Sequence, residues 1–455
     1  MLHVPTTAAE RRAGAPIPLR QNTNFRLLMS GSFVSMLGSR VSSIAYLLLV
    51  LALTGSPVVA GWASFAALAP SVLVYLPAGA LVDRWDPRRA MLWSECGRGA
   101  AIATIVTLLM LGRMSVPGLI FVAAIEQTLQ VFSVLAERRF VRSLVEPAQA
   151  ASALARGEAR NNMVILVGRP LGGLLFGVGR IIPFMVDALS FAVTVGVLMR
   201  IGSGRIFKHQ EPAADRHMGH EIAAGFRWLR HHSFAGIGLP LTAGTTLIGQ
   251  ALIMIFFAEA HARHLPSVTI GIVLAASGAG GAVGSAAAPR LFRRFGYTLL
   301  CIQMWIWAAM LVILVCWGGK SFLVMAAAMA VTGLTGALGN IAFDTFVIRN
   351  AAETMLARVM SVDRLTSLGA LALGPPLGGI LFERFGIQAA IFYLLVVTVI
   401  LLVVAAVTLP PALRRDTLKQ LAGAAPGGGR EDDDGAGADG DALTGQLSGH
   451  CESGR

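Results

Sequence analysis

Apolar blocks about as long as a bilayer is thick recur along the whole chain, separated by short charged or Pro/Gly-bearing breaks. Hydrocarbon about 30 Å thick takes roughly 20 residues of helix per crossing, and blocks of that length occupy 27–53, 57–82, 90–112, 116–136, 161–180 and 181–201. After a polar stretch the pattern resumes at 234–259, 268–289, 297–317, 321–345, 365–383 and 387–409. The pattern predicts an all-α membrane protein of twelve transmembrane helices, six in each half.

The longest polar interruptions within this region are 137–160 and 202–233. They divide the chain into a cytoplasmic N-terminal segment (1–24), an N-terminal six-helix bundle (25–201), a cytoplasmic central loop (202–233), a C-terminal bundle (234–410) and a tail (411–455). The tail is Gly- and Asp-rich, with an acidic run at Glu431–Asp434, and is expected to be disordered. No small-residue cleavage pattern ends the first apolar block, so it is expected to stay as a helix.

Composition agrees: 55% of the 455 residues are hydrophobic and 14% charged, with mean hydropathy +0.68. The net charge of +12 is informative through its placement. With both termini in the cytoplasm, Arg84, Arg88, Arg89, Arg138, Arg139, Arg142, Arg156, Arg160, Arg290, Arg293, Arg294, Arg349, Arg358 and Arg364 all fall in inner loops or at their edges. Each outer loop holds at most one basic residue. The basic charge is therefore an orientation signal for a multi-pass protein of the cell (plasma or inner) membrane. No basic stretch carries interleaved aromatic residues, so nucleic acid is not expected as a partner.

The halves repeat. Gly168-Arg-Pro-Leu-Gly-Gly-Leu-Leu-Phe176 and Gly374-Pro-Pro-Leu-Gly-Gly-Ile-Leu-Phe382 agree at seven of nine positions, 206 residues apart. Phe140-Val141 and Phe346-Val347 keep the same separation, and Arg84-Trp85 matches Arg294-Phe295 at 210. Parallel six-helix halves related by an axis along the membrane normal suit a central site exposed to either side in turn by rocking.

The loop Gly79-Ala-Leu81-Val-Asp83-Arg84-Trp-Asp-Pro-Arg88-Arg89 resembles the signature loop between helices two and three of the major facilitator superfamily, with Asp86 at the usual Gly position and Pro87 where Arg is common. The stretches Phe184–Phe191 and Gly271–Gly284 are similar to its enterobactin-exporter and macrolide-efflux branch. Over residues 25 to 410 the resemblance implies the major facilitator fold, with two pseudo-symmetric bundles and a central site lined chiefly by helices one, four, seven and ten. It further implies export of a drug, siderophore or secondary metabolite, usually driven by protons. In the family, the Asp matching Asp83 latches the halves on the cytoplasmic side, so Gly79, Leu81, Asp83, Arg84, Arg88 and Arg89 form the expected gate motif.

Small residues and prolines at Gly168, Pro170, Gly172, Gly173, Gly374, Pro375, Gly378 and Gly379 are expected to allow close helix approach. In the first copy Arg169 replaces the proline of the exporter pattern.

A charge near the bilayer centre costs about 2.5–3.5 kcal/mol on insertion scales, so buried ionisable residues are the site candidates. Arg40 on helix one and Glu126 on helix four are expected to meet, either with Glu126 exchanging a proton and Arg40 pairing with it or with substrate, or as a permanent structural ion pair. Arg169 and Asp187 form a second expected pair, structural first, with Arg169 alternatively binding an anionic substrate group. Glu95 and Arg98, three residues apart on helix three, read as a local pair without function.

No histidine lies within a predicted span, so a membrane-embedded hydrolase cannot be assembled, and no enzyme activity, metal or cofactor is assigned. Gly318-Gly-Lys-Ser321 lacks the first glycine of a phosphate-binding loop. Energy must then come from an ion gradient or from the substrate's own gradient, with protons as the expected coupling ion and a small-molecule substrate as cargo. The expected partners are membrane lipid and these solutes, and the protein is expected to act as a monomer. An importer or a non-transporting receptor on the same architecture are the alternatives.

Overall fold

A computed structural model describes residues 19–146, 149–201, 226–230, 233–317, 321–351 and 353–424. Residues 1–18 of the expected N-terminal segment (1–24), residues 425–455 of the expected tail (411–455) and most of the expected central loop (202–233) lie outside the described residues. So do some helical side chains, among them that of Arg169.

The first six long helices are α1 (Thr23–Thr54), α2 (Pro57–Arg84), α3 (Pro87–Met110), α4 (Val116–Leu144), α5 (Ala150–Val178) and α6 (Ile182–Arg200). The next four are α7 (Ser233–Ala262), α8 (Ser267–Phe295), α9 (Leu299–Trp317) and α10 (Phe322–Asn350). A last helical stretch, Glu353–Ala424, is broken at Gly386, whose φ of 74° requires a residue without Cβ; α11 (353–385) and α12 (387–424) lie on either side. Among the described residues these make the twelve helices expected from hydropathy.

Several helices run well past their apolar cores. The polar interruption 137–160 is mostly helix, being the end of α4 and the start of α5. Hydropathy marks only the turns that face hydrocarbon, and basic residues such as Arg142 in the last turn of α4 favour continuation through the helix dipole. Likewise α12 continues past Pro410-Pro411 to Ala424, beyond the expected boundary at 410, with Leu-, Arg- and Lys-bearing sequence following the prolines. Length and apolarity alone pick out nine spans among the described residues, one of them covering both α11 and α12. The helices missed are α3 and α5, of which α5 has a shorter apolar stretch at Met163–Val178.

Helix starts follow from local chemistry. Asn22 accepts from the backbone N–H of Phe25 and donates to the carbonyl of Leu144 at 2.8 Å, which caps α1 and ties it to the end of α4. Ser56-Pro57, Asp86-Pro87 and Ser115 open α2, α3 and α4, each with the side-chain oxygen accepting from a first-turn N–H. Asp86 and Pro87, the two departures from the signature loop, are thus the N-cap and first residue of α3.

Call the end of the molecule holding the α1–α2 turn the upper end. There one continuous apolar core joins the halves, running from Leu48, Ile105 and Phe184 to Phe256, Leu274 and Leu311. At the lower end the core is split. Phe25, Phe140 and Leu198 pack within the first half, and Phe234, Phe343 and Phe346 pack separately within the second. The molecule is sealed above and parted below.

Candidate functional site

The duplicated glycine motif builds the upper seal, and its copies do equivalent work. A Cβ at Gly172 would lie 2.7 Å from the Val41 carbonyl on α1, and one at Gly378 would lie 2.3 Å from the Ala251 carbonyl on α7. Those contacts stay within each half. The next glycine of each copy crosses to the other half: Gly173 meets the Ser267 carbonyl of α8, and Gly379 meets the Pro57 carbonyl of α2. Gly168 packs on the Arg40 side chain and Gly374 on that of Gln250. The carbonyl of Pro375 lies against Gly61 of α2, while Pro170 sits inside α5. Beside this seam, Ser56 Oγ and the Val58 N–H donate to Glu383 of α11 at 2.8 and 3.2 Å.

At the lower end the signature loop makes its described contacts within the first half. Arg139 of α4 lies 3.9 Å from Asp83 and donates to the Val82 carbonyl. Arg88 closes the end of α6 by donating to the carbonyls of Leu198 and Met199 at 3.1 and 2.9 Å. Leu81, Arg84 and Arg89 are exposed, and a Cβ at Gly79 would meet nothing within 4 Å.

The interior of the first half holds a buried charged cluster. Arg98 of α3 donates to Glu126 of α4 through Nη2 at 2.9 Å and Nε at 3.0 Å, and to Glu95 through Nη1 at 3.1 Å. Its Nη2 also donates to Ser39 Oγ at 2.7 Å, and its guanidinium lies 4.5 Å from the Phe191 ring centre. Glu95 accepts from Ser35 Oγ at 2.7 Å and from Ser133 Oγ. Asp187 of α6 is fully buried and accepts from Ser42 Oγ at 2.5 Å. It lies close enough to Glu126 and Arg98 to feel both charges. Gly38 makes room for this corner: a Cβ there would fall 2.7 Å from Asp187 Oδ1.

The expected pairing of Glu126 with Arg40 is therefore corrected. Glu126 binds Arg98, and the local Glu95–Arg98 pair forms the centre of the site. Residues 95 and 98 project from α3 toward α4, whereas Arg40 and Leu37 lie on the face of α1 that packs against Gly168 of α5. Helix facing decided this. The serines at 35, 39 and 42 on α1 were the readable signal, because their spacing of three to four residues lines one helix face with hydroxyls. The expected Arg169–Asp187 pair rests on a side chain outside the described residues; among those described, hydroxyls bind Asp187.

Glu126 is linked to a cavity through its neighbour. Gln127 donates to Glu126 Oε2 at 3.1 Å and lines a cleft of about 620 Å³, counting its solvent-open part, between α1, α2 and α4. Tyr46 lines the same cleft with a buried hydroxyl that has no hydrogen-bond partner among the described residues. Of the aromatic residues, Trp62 and Trp305 are exposed on the outer surface while Trp307 is buried. Glu259 pairs with Arg263 at the upper end of α7.

The sequence profile of the family described as transmembrane secretion effector matches residues 13–425. An uncharacterized MFS-type transporter, y4rN of Sinorhizobium fredii, is 24% identical over 395 residues, covering 81% of this chain and 90% of that protein. The multidrug efflux pump Tap of Mycobacterium tuberculosis is 25% identical over 390 residues, covering 81% and 89%. In fold, the chain is similar to the nucleoside transporter NupG, with TM-score 0.68 at 13% identity, over 85% of this chain and 99% of that one.

Proposed function

Since the chain belongs to the transmembrane secretion effector family of major facilitator transporters, we propose that it is a proton-coupled exporter of a drug, siderophore or other secondary metabolite, working by alternating access. The distribution of arginines supports cytoplasmic termini in the plasma or inner membrane, which makes the parted lower end the cytoplasmic one. The structure then corresponds to an inward-facing state. Gly79 and Asp83, open here, face the second half when the lower end closes, and Asp83 exchanges Arg139 for a partner across the seam.

The observation that carries the coupling is the surplus of buried acid. Among the described side chains, Glu95 and Glu126 bind the Arg98 guanidinium and Asp187 is bound by hydroxyls with no cation of its own, all four residues being no more than 3% exposed. Two uncompensated charges in a site this dry are costly, and holding a proton relieves the excess. Asp187, bound by hydroxyls among its described partners, is the proton carrier, and Glu126 transmits its state. When Asp187 loses the proton, three carboxylates compete for Arg98, which shifts the packing of α1, α3, α4 and α6. Through Gln127 the same change reaches the cleft wall. Export of drug-like solutes agrees with the named activity of Tap, and the chain is taken to act as a monomer.

Cells expressing the protein should extrude members of a panel of antibiotics and ethidium, and an uncoupler should abolish the extrusion. Asp187→Asn and Glu126→Gln should each remove gradient-driven extrusion while the protein remains folded in the membrane. Full coupled extrusion by Asp187→Asn would eliminate that carboxyl as the carrier.

A further inference from the structure

The two seams of the upper seal follow one design and differ in a polar contact. In the first, Gly173 of α5 meets the Ser267 carbonyl at the start of α8; in the second, Gly379 of α11 meets the Pro57 carbonyl at the start of α2. One turn beyond each glycine, the repeat places Gly177 on α5 and Glu383 on α11, 206 residues apart. On the facing helices, 210 residues apart, Pro266 stands before α8 and Ser56 before α2.

At the first seam Pro266 offers neither a hydroxyl nor an N–H and makes no side-chain cap. A Cβ at Gly177 would lie 3.4 Å from Val268 Cγ2, an ordinary apolar contact. At the second seam Ser56 Oγ donates to Glu383 Oε2 at 2.8 Å, and the Val58 N–H donates to the same oxygen at 3.2 Å. Ser56 Oγ also accepts from the Val59 N–H at 3.3 Å, so the hydroxyl caps α2 while its proton goes to Glu383. The first N–H groups of a helix have no partner within it and form the positive end of its dipole, which makes a carboxylate a favoured occupant. Here that carboxylate belongs to the opposite half.

We propose that Glu383 is the latch of the outer gate: by capping α2 from the second half, it holds the unloaded transporter closed above and open to the cytoplasm, where an exporter loads. The inference rests on the alternating-access reading and names a residue that sets the balance between its two states. Parting the halves above must pull the carboxylate off the Ser56 hydroxyl and the Val58 N–H. Glu383 is exposed, so water takes over as partner on both sides, and the contact biases the gate without locking it. The apolar core and the glycine contacts hold both seams; the latch adds a separable polar bond at the second.

The test uses the full chain in phosphatidylcholine nanodiscs, without solute or gradient. Spin labels are placed on Arg113→Cys, between α3 and α4, and Gln388→Cys, at the start of α12, both exposed at the upper end. The background carries Cys96→Ala, Cys301→Ala, Cys316→Ala and Cys451→Ser. Pulsed electron–electron double resonance then reads the ratio of long-distance to short-distance populations. Glu383→Ala should raise that ratio about tenfold, the order expected of a charge-assisted hydrogen bond partly exposed to water. Ser56→Asp keeps a capping oxygen on α2 but sets a like charge against Glu383, and should raise the ratio at least as far. Adding Glu383→Gln to Ser56→Asp should return it to within about threefold of the native value, because the Gln amide donates to the new carboxylate. A role confined to holding the start of α2 together would not be rescued in this way. An unchanged ratio in Glu383→Ala overturns the proposal, and so does a Ser56→Asp shift that Glu383→Gln leaves in place. One fixed distance in every variant removes the alternating-access reading and the latch with it. Loss of drug extrusion or of proton coupling, with the ratio responding as stated, counts against the exporter reading alone, so the two failures are separable.

Discussion

Where the first half buries Glu95, Arg98, Glu126 and Asp187, the fully buried polar residues described on α9, α10 and α12 of the second half are Gln303, Thr335 and Thr398, none of them ionisable. The two halves share helix order and the glycine motif, so the fold does not depend on the charges. The second half closes instead by backbone contact. A Cβ at Gly280 or Gly333, between α8 and α10, would fall within 2 Å of the Ala330 or Ser277 carbonyl. Among the described residues, fully buried charge is therefore retained at a cost in the first half, which is what a titrating element working against a neutral frame requires.

The contrast is most strongly tested by removing the cation. Arg98→Ala leaves three buried carboxyls without a counter-charge and should destabilise the detergent-purified protein by about 3–5 kcal/mol. Gln303→Leu at the matching helix should change thermal stability by less than about 1 kcal/mol, because the Gln303 Oε1 it removes has no partner among the described residues. Equal losses in the two would dissolve the asymmetry.

Gly333→Val should cost about 1–3 kcal/mol through overpacking of α8 on α10. A melting curve matching that of the native protein would mean the glycine contacts are not what closes the second half.

A smaller stability change with a larger functional one is expected on copying the neutral half into the charged one. The combined variant Glu95→Gln, Arg98→Leu, Glu126→Gln should fold within about 2 kcal/mol of the native protein and lose gradient-driven export. Preserved coupling in proteoliposomes would place the proton path elsewhere.

The smallest effect belongs to the lower loop. Asp83→Asn breaks a 3.9 Å pair with substantial exposure on both sides, worth at most about 1 kcal/mol by unfolding. Transport assays should nevertheless show slower turnover, since the proposed role of Asp83 is in the closed state.

Helix count, boundaries near the turns and the Gly386 break were legible because each bilayer crossing demands a long apolar run and each turn a cap, a proline or a glycine. The glycine motif was legible as packing, and Glu126 and Asp187 as expensive residues. The partner of Glu126 was not, because hydropathy locates a residue along the membrane normal and leaves open which neighbour it faces.

Sequence alone determined that this chain belongs in lipid, crosses it in two repeated sets of helices and carries a few charges too costly to be idle. Only the tertiary structure decided that Arg98 and not Arg40 neutralises Glu126, that Asp187 joins them, and that the halves are sealed at one end and parted at the other. The physical reason is that insertion energy is a sum over residues along one chain. Pairing depends on the rotation of each helix about its axis, and that rotation is set by where glycines let neighbouring backbones touch.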